Sequence, residues 1–93
     1  MEIKKTEVAK QLHMSDELRQ QTEKMLKEIK EKRKKIHLLD SSKKDLIKNI
    51  DAYISDTSYF LEKKDFIRAF EAVVWSFSWL EIMEQLGIVR IEG

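Results

Sequence analysis

The first 86 residues of this 93-residue chain contain neither glycine nor proline, the two residues that most often interrupt a helix. Glycine occurs at Gly87 and Gly93, and proline and cysteine are absent. Helices can therefore run long without an enforced break, whereas a β-sandwich or barrel would lack its usual turn residues. A chain of this length has room for one hydrophobic core. We therefore predict a single all-α domain.

Apolar residues recur with helical spacing in three segments of the chain. We predict an N-terminal arm or short extra helix over residues 1–14, helices over residues 15–37, 42–63 and 65–86, and a C-terminal tail over residues 87–93. Ser15 is expected to cap the first helix, Ser42 to form a capping box with Asp45, and Asp65 to cap the third helix. Short links between consecutive helices favour an up-and-down three-helix bundle.

The third predicted helix is apolar on two sides. One side is expected to supply the bundle core and contains Phe66, Ala69, Phe70, Val73, Val74, Phe77 and Leu80. The other lies about 180° away and contains Ala72, Trp75, Trp79, Ile82, Met83 and Leu86. A helix that is apolar on both sides must be covered on both sides.

The second apolar side predicts a protein interface formed by Trp75, Trp79, Ile82, Met83 and Leu86, because tryptophan is over-represented at binding hot spots. The partner is expected to be a second copy, giving a homodimer, or another protein. Two alternatives stay open: residues 1–13 and 88–91 of the same chain cover this side, or a small apolar ligand does. Arg68 and Glu71 are interpreted as the rim of a helix–helix contact.

The net charge of +1 hides an asymmetry, because residues 1–45 carry a balance of +4 and residues 46–93 a balance of −3. A basic run in the first helix suggests an alternative function, an RNA-binding or other nucleic-acid accessory protein that uses Lys24, Lys27, Lys30, Arg33 and Lys34. The same run contains Glu–Lys pairs four residues apart, which are typical of a solvated helix face. It also lacks the interleaved aromatic residues that stack on bases.

Several classes of function find no support in the residues. Without cysteine there is no disulfide framework and no thiolate metal site, and His13 and His37 have no second ligand nearby, so we expect no metal and no cofactor. No nucleophile–base pair is evident, which argues against an enzyme. No apolar run approaches the roughly 20 residues of a membrane span, and no signal-peptide pattern is present, so we expect a cytoplasmic protein that does not enter the membrane.

Residues 49–81 carry a family resemblance. The features that carry it are Tyr53-Ile54-Ser55-Asp56, Tyr59-Phe60-Leu61-Glu62, the turn before Asp65, Arg68-Ala69-Phe70-Glu71, Val74-Trp75 and Trp79-Leu80-Glu81. In these features the chain resembles an uncharacterised archaeal family catalogued as domain of unknown function 357. The resemblance implies a small up-and-down bundle of three helices and brings no established activity, cofactor or catalytic residue. Our functional prediction is therefore a protein–protein interaction or oligomerisation module without catalytic activity.

Overall fold

The structure is a computed structural model that describes the backbone from residue 5 and the side chains from residue 14, in both cases to residue 93. Its elements are α1 (Lys5–Lys34), β1 (Ile36–Leu38), a 3-10 helix (Ser41–Leu46), α2 (Ile47–Glu62), α3 (Phe66–Gln85) and β2 (Val89–Ile91). The all-α class and the three-helix bundle are confirmed. Within the described residues, no helix is long and apolar enough to cross a membrane.

The first helix is longer than predicted. It begins at Lys5 rather than after Ser15, so Ser15 lies inside α1 and residues 5–14 belong to this helix rather than to a separate arm. The remainder of the predicted arm, residues 1–4, lies outside the described residues. No glycine or proline interrupts the stretch, and Arg19 forms ion pairs with Asp16 and Glu23, about one turn before and after it in the helix.

The predicted end of the first helix at residue 37 is also wrong. Helix α1 ends at Lys34, and β1 pairs antiparallel with β2, with Ile36 opposite Ile91 and Leu38 opposite Val89. The predicted C-terminal tail thus contains a strand. Burial explains the pairing, because Val89 is buried in the core and needs partners for its backbone amide and carbonyl.

The second helix starts later than predicted. Asp40, rather than a Ser42–Asp45 capping box, caps this region: its carboxylate accepts hydrogen bonds from the Ser42 backbone amide at 3.1 Å and from the Ser42 hydroxyl at 2.6 Å. The hydroxyl hydrogen bond lowers the pKa of Asp40 below its ordinary value. A 3-10 helix follows this cap, and the regular α-helix begins at Ile47.

Helices α2 and α3 form an antiparallel hairpin with a short link. Lys64 adopts a positive φ of 59°, and Asp65 then caps α3 by accepting the Arg68 amide at 3.2 Å, so the predicted cap at Asp65 is confirmed. Helix α3 ends before Gly87, whose φ is 72°. The Ile88 amide donates to the Met83 carbonyl at 2.9 Å, which closes a Schellman motif.

The core lies where the three helices meet the two-stranded sheet. Its buried members are Leu26, Ile29, Ile50, Val73, Leu80, Met83, Ile88 and Val89. Three buried hydroxyl groups, on Thr22, Thr57 and Ser76, donate to carbonyls of their own helices at 2.6 to 2.7 Å, so they enter the core without an unsatisfied donor. Because β1 follows α1 and β2 follows α3, the strand pairing places the C-terminal ends of α1 and α3 at the same end of the bundle.

Candidate interaction surface

The five predicted interface residues of the third helix do not share one environment. Met83 is fully buried in the core, and Trp79 is partly buried and packs against it. Trp75, Ile82 and Leu86 remain exposed, at 53%, 44% and 70% of their surface. Met83 is therefore a core residue, because its side chain has no surface to offer a partner.

The buried and exposed sides of α3 also differ from the two sides predicted from the sequence. Val74, assigned to the core side, is exposed, whereas Ala72, assigned to the second side, is buried. Ile67, in the first turn of α3, is exposed as well. We define the outer face of α3 as its exposed apolar side chains: Ile67, Val74, Trp75, Ile82 and Leu86.

The Trp75 part of the outer face lies on the side of α3 away from α1, whereas Ile67 lies beside the N-terminal part of α1. Phe77 faces α1, since the Lys32 ammonium lies 5.7 Å from the centre of its ring. Trp75 precedes Phe77 by two residues and is therefore about 160° away around the helix. Helix α1 thus covers one side of α3 and leaves the Trp75 side open.

A shallow groove of about 230 Å³ runs between α2 and α3 beside this face. We call it the α2–α3 groove, and it is lined by Tyr53, Asp56, Phe60, Arg68, Glu71, Ala72 and Trp75. The rings of Tyr53 and Trp75 stack across it with centroids 6.2 Å apart and planes inclined by 18°. Ala72 is buried and small, which leaves space between the larger side chains.

Charged side chains border the aromatic centre of the α2–α3 groove. Asp56 and Glu71 are exposed, and among the described residues neither has an ion-pair partner. Arg68 is held at 3.5 Å by Asp65, the cap of its own helix. The groove therefore combines aromatic rings with two carboxylates that are accessible to an incoming cation.

An ion pair between α1 and α2 establishes that the α2–α3 groove opens away from α1. The Arg33 guanidinium binds Asp51 of α2 through two hydrogen bonds, of 2.6 and 3.2 Å. Asp56 comes five residues after Asp51 and is therefore about 140° further around α2. The side of α2 that lines the groove is thus distinct from the side that meets α1.

The same ion pair bears on the predicted nucleic-acid patch. Arg33 is partly buried between helices, and its hydrogen bond to Asp51 raises the pKa of the guanidinium against the opposing effect of burial. Lys34 is exposed but pairs with Glu31 at 3.2 Å. Lys24, Lys27 and Lys30 are exposed on α1. The five residues therefore do not form one uninterrupted basic stripe, because Arg33 points to α2.

Among the residues whose side chains are described, no three acidic, histidine or cysteine side chains are grouped as metal ligands. His37 forms a hydrogen bond with Glu92 at 2.9 Å across the end of the two strands, and this bond lowers the pKa of Glu92. His37 therefore has a structural partner in the residue that follows β2. His13 lies outside the residues whose side chains are described.

The residues that line the α2–α3 groove are not grouped by any local pattern in the sequence. In helical projection the apolar residues of α2 form one arc that includes Tyr53 and Phe60, and such an arc predicts a core-facing position for both. The available signal is the width of that arc, about 140°, which is wider than one neighbouring helix needs. The arc is divided in the structure, because Ile50 and Thr57 are buried whereas Tyr53 and Phe60 face the groove.

Comparison with known proteins identifies the family. The model of a family described as "Protein of unknown function (DUF357)" matches residues 19–89. The chain belongs to this family. The crystal structure of protein AF1782 from Archaeoglobus fulgidus, a DUF357 protein, is similar, with 46% identity and a TM-score of 0.77 over 85% of this chain and 99% of that one. A search of curated proteins found no significant match.

The family match includes every residue that lines the α2–α3 groove. Six of these seven residues, all except Ala72, also belong to the features by which the sequence resembles DUF357 proteins. The match begins at residue 19 and therefore omits the first part of α1. Membership of the family establishes the fold of this chain, and the family description names no activity.

Proposed function

We propose that this DUF357 protein is a self-associating helical module without catalytic activity, whose contact surface is the outer face of α3 together with the α2–α3 groove. One observation carries the proposal. Trp75, Ile82 and Leu86 are exposed along a helix whose opposite side already packs into the core. Exposed apolar surface of this kind usually marks a contact site, and tryptophan is frequent among residues that dominate binding energy.

The shape of the surface favours a macromolecular partner over a small ligand. A small-molecule site usually encloses most of its ligand. The α2–α3 groove is open and shallow, and exposed apolar residues continue beyond it to Leu86 near the end of α3. A second protein surface can cover both the groove and its extension.

Nucleic-acid binding through α1 remains the alternative prediction. It would use Lys24, Lys27, Lys30 and Lys34, whereas Arg33 would first have to release Asp51. An RNA pool that binds at low salt and dissociates steeply as salt rises would support this alternative. No binding at low salt would exclude it.

Trp75→Asp tests the proposed function. Sedimentation equilibrium of the unmodified chain should show a dimer, at twice 11.1 kDa, that dissociates on dilution. A charged residue at a central hot spot should weaken association by about 2 kcal/mol or more, roughly 30-fold in Kd. Because Trp75 is half exposed, the substitution should leave the fold intact, and the helical circular dichroism of the variant should equal that of the unmodified chain.

Leu39→Asp is the matched control. Leu39 is 56% exposed, close to the value for Trp75, but it lies between β1 and the 3-10 helix rather than on the outer face. The control should associate like the unmodified chain. Equal loss of association in both variants would point to a general effect of added charge. A monomeric unmodified chain at all concentrations would contradict the proposal.

A further inference from the structure

Helix α1 extends past the rest of the bundle at its N-terminal end. Met14, Ser15 and Leu18 of α1 lie around Ile67, the second residue of α3. Residues 5–13 of α1 therefore continue beyond the point where α3 begins. At 1.5 Å per residue this extension is about 13 Å long. We call residues 5–13 the N-terminal overhang.

The overhang cannot cover the α2–α3 groove of its own chain. Helix α1 is continuous from Lys5 to Lys34 and contains no glycine or proline at which it would turn. Lys32 of α1 lies beside Phe77, opposite Trp75, and Met14 and Leu18 of α1 lie around Ile67 at the start of α3. Residues 5–13 continue past the start of α3, whereas the groove lies C-terminal to that start, so the overhang leads away from the groove of its own chain.

Apolar surface is exposed where the overhang leaves the bundle. Met14 and Ile67, each 66% exposed, line a depression with Ser15 and Leu18. The nearer end of the α2–α3 groove lies at the same end of the bundle, because Arg68 follows Ile67 directly in α3. One partner that approaches this end can cover the depression and the groove together.

We propose that the occupant of the α2–α3 groove is the N-terminal overhang of a second copy, donated reciprocally in a dimer whose bundles meet at this end. This inference rests on the proposed self-association and names the segment that contacts the Trp75 part of the surface; Ile82 and Leu86 lie C-terminal to the groove and outside this contact. In a twofold arrangement each copy donates one overhang and accepts one, so both grooves are filled by the same contact. The apolar depressions of the two copies meet between them.

The lengths of the two parts agree. Along α3 the groove extends from Arg68 to Trp75, seven residue steps or about 10 Å. An overhang of about 13 Å spans that distance when it enters from the Ile67 end. An added helix against α2 and α3 would also complete a four-helix arrangement at each groove, a common way for two adjacent helices to bury their remaining apolar surface.

The chemistry of the two parts agrees as well. Residues 5–13 contain two lysines, one glutamate and larger apolar side chains at Val8 and Leu12. The aromatic rings of the groove can pack against the apolar side chains and the aliphatic stems of the lysines in the overhang. The carboxylates of Asp56 and Glu71 can pair with the lysine ammonium groups. The family match covers the whole groove and omits residues 1–18, so the donated segment lies outside the part of the chain shared with the family model.

A spin label on the overhang tests this inference directly. The chain contains no cysteine, so Lys10→Cys provides a single thiol for labelling. Spin-labelled copies of the full chain are mixed with wild-type copies that carry no label and are enriched in ¹⁵N, at a concentration where sedimentation gives the dimer mass. The label should broaden the indole N–H signal of Trp75 across the interface. A second label on Lys48→Cys, an exposed position on α2 outside the groove, should leave that signal unchanged.

The outcomes separate the two proposals. A dimer in which the Lys10 label broadens Trp75 and the Lys48 label does not is the expected result. A dimer in which the Lys10 label leaves Trp75 sharp would overturn the donated overhang and leave self-association standing. A monomeric mass at every concentration would overturn both. If a copy that carries both the Lys10 label and ¹⁵N still shows a broadened Trp75 signal when it is diluted to monomer, the overhang acts within its own chain, which would overturn the donation.

Discussion

The ends of α2 and α3 share one backbone geometry but differ in the residue that adopts it. Lys64 and Gly87 have φ values of 59° and 72°. After each, the next amide donates to the carbonyl five residues back, from Asp65 to Phe60 and from Ile88 to Met83, both at 2.9 Å. This is the Schellman motif, which favours glycine because a side chain is disfavoured at positive φ. We therefore predict that Lys64→Gly stabilises the protein and that Gly87→Ala destabilises it.

The two effects should be similar in size and opposite in sign. A residue with a side chain loses about 1–2 kcal/mol in the left-handed region. Glycine returns about 0.4–1 kcal/mol of this through the greater entropy of the unfolded chain. The net change is about 0.5–1 kcal/mol in either direction. At Gly87 the cost is conformational rather than steric, because an added Cβ meets no atom within 4 Å.

Urea unfolding followed by circular dichroism measures the change in the free energy of unfolding. With an m-value of about 1 kcal/mol per M, the midpoint should rise by about 0.5–1 M for Lys64→Gly and fall by as much for Gly87→Ala. All variants are compared at one protein concentration, since association also stabilises the folded state. Lys63→Gly is the matched control: Lys63 has a φ of −79°, so glycine there should destabilise. A midpoint that falls for Lys64→Gly, as it should for Lys63→Gly, would contradict the prediction.

Three further predictions concern the core, the α1–α2 contact and the sheet. Met83→Ala should lower the free energy of unfolding by about 2–5 kcal/mol, because the side chain is fully buried; a loss below 1 kcal/mol would place Met83 at the surface. A double-mutant cycle of Arg33→Ala and Asp51→Ala should give a coupling of about 0.5 kcal/mol, since the pair is partly exposed, and no coupling would contradict the ion pair. Hydrogen bonding to His37 lowers the pKa of Glu92 in the folded state. The ionised Glu92 therefore stabilises the folded protein at pH values above its ordinary pKa of 4.5, and this stabilisation is lost as the pH falls through the lowered pKa. The stability difference between Glu92→Gln and the unmodified chain should therefore disappear in acid, and a difference that persisted at low pH would refute this.

Local signals predicted the hairpin of α2 and α3 well. Asp65 has the side chain that accepts a first-turn amide, and Gly87 is the residue that tolerates the positive φ after a helix. Both features act over a few residues, so they can be inferred from the sequence alone. The predicted start of α1 after Ser15 was wrong. Ser15 and Asp16 are residues typical of a helix cap, but no glycine or proline precedes them to keep the helix from starting earlier, at Lys5.

The sheet and the groove depend on contacts between distant segments. Ile36 and Ile91 are far apart in the chain, and a three-residue strand carries too little periodicity to predict. To predict the groove from the sequence, one must know which part of the wide apolar arc of α2 is covered by α1 and which part by α3. The division of the arc depends on the position of α1. In the structure this position is indicated by the Arg33–Asp51 ion pair, but the residue types alone do not predict that these two side chains pair.

The central claim is that association covers the Trp75 side of α3. Trp79→Phe, a mild change at a partly buried position, leaves Trp75 as the single tryptophan reporter. Its fluorescence and its quenching by acrylamide are followed as the protein is diluted through the range in which sedimentation detects loss of the dimer. We predict that Trp75 becomes more accessible to the quencher, and its emission shifts to longer wavelength, with the same midpoint as the change in mass. A mass transition without any change at Trp75, or a mass of 11.1 kDa at every concentration, would contradict the claim.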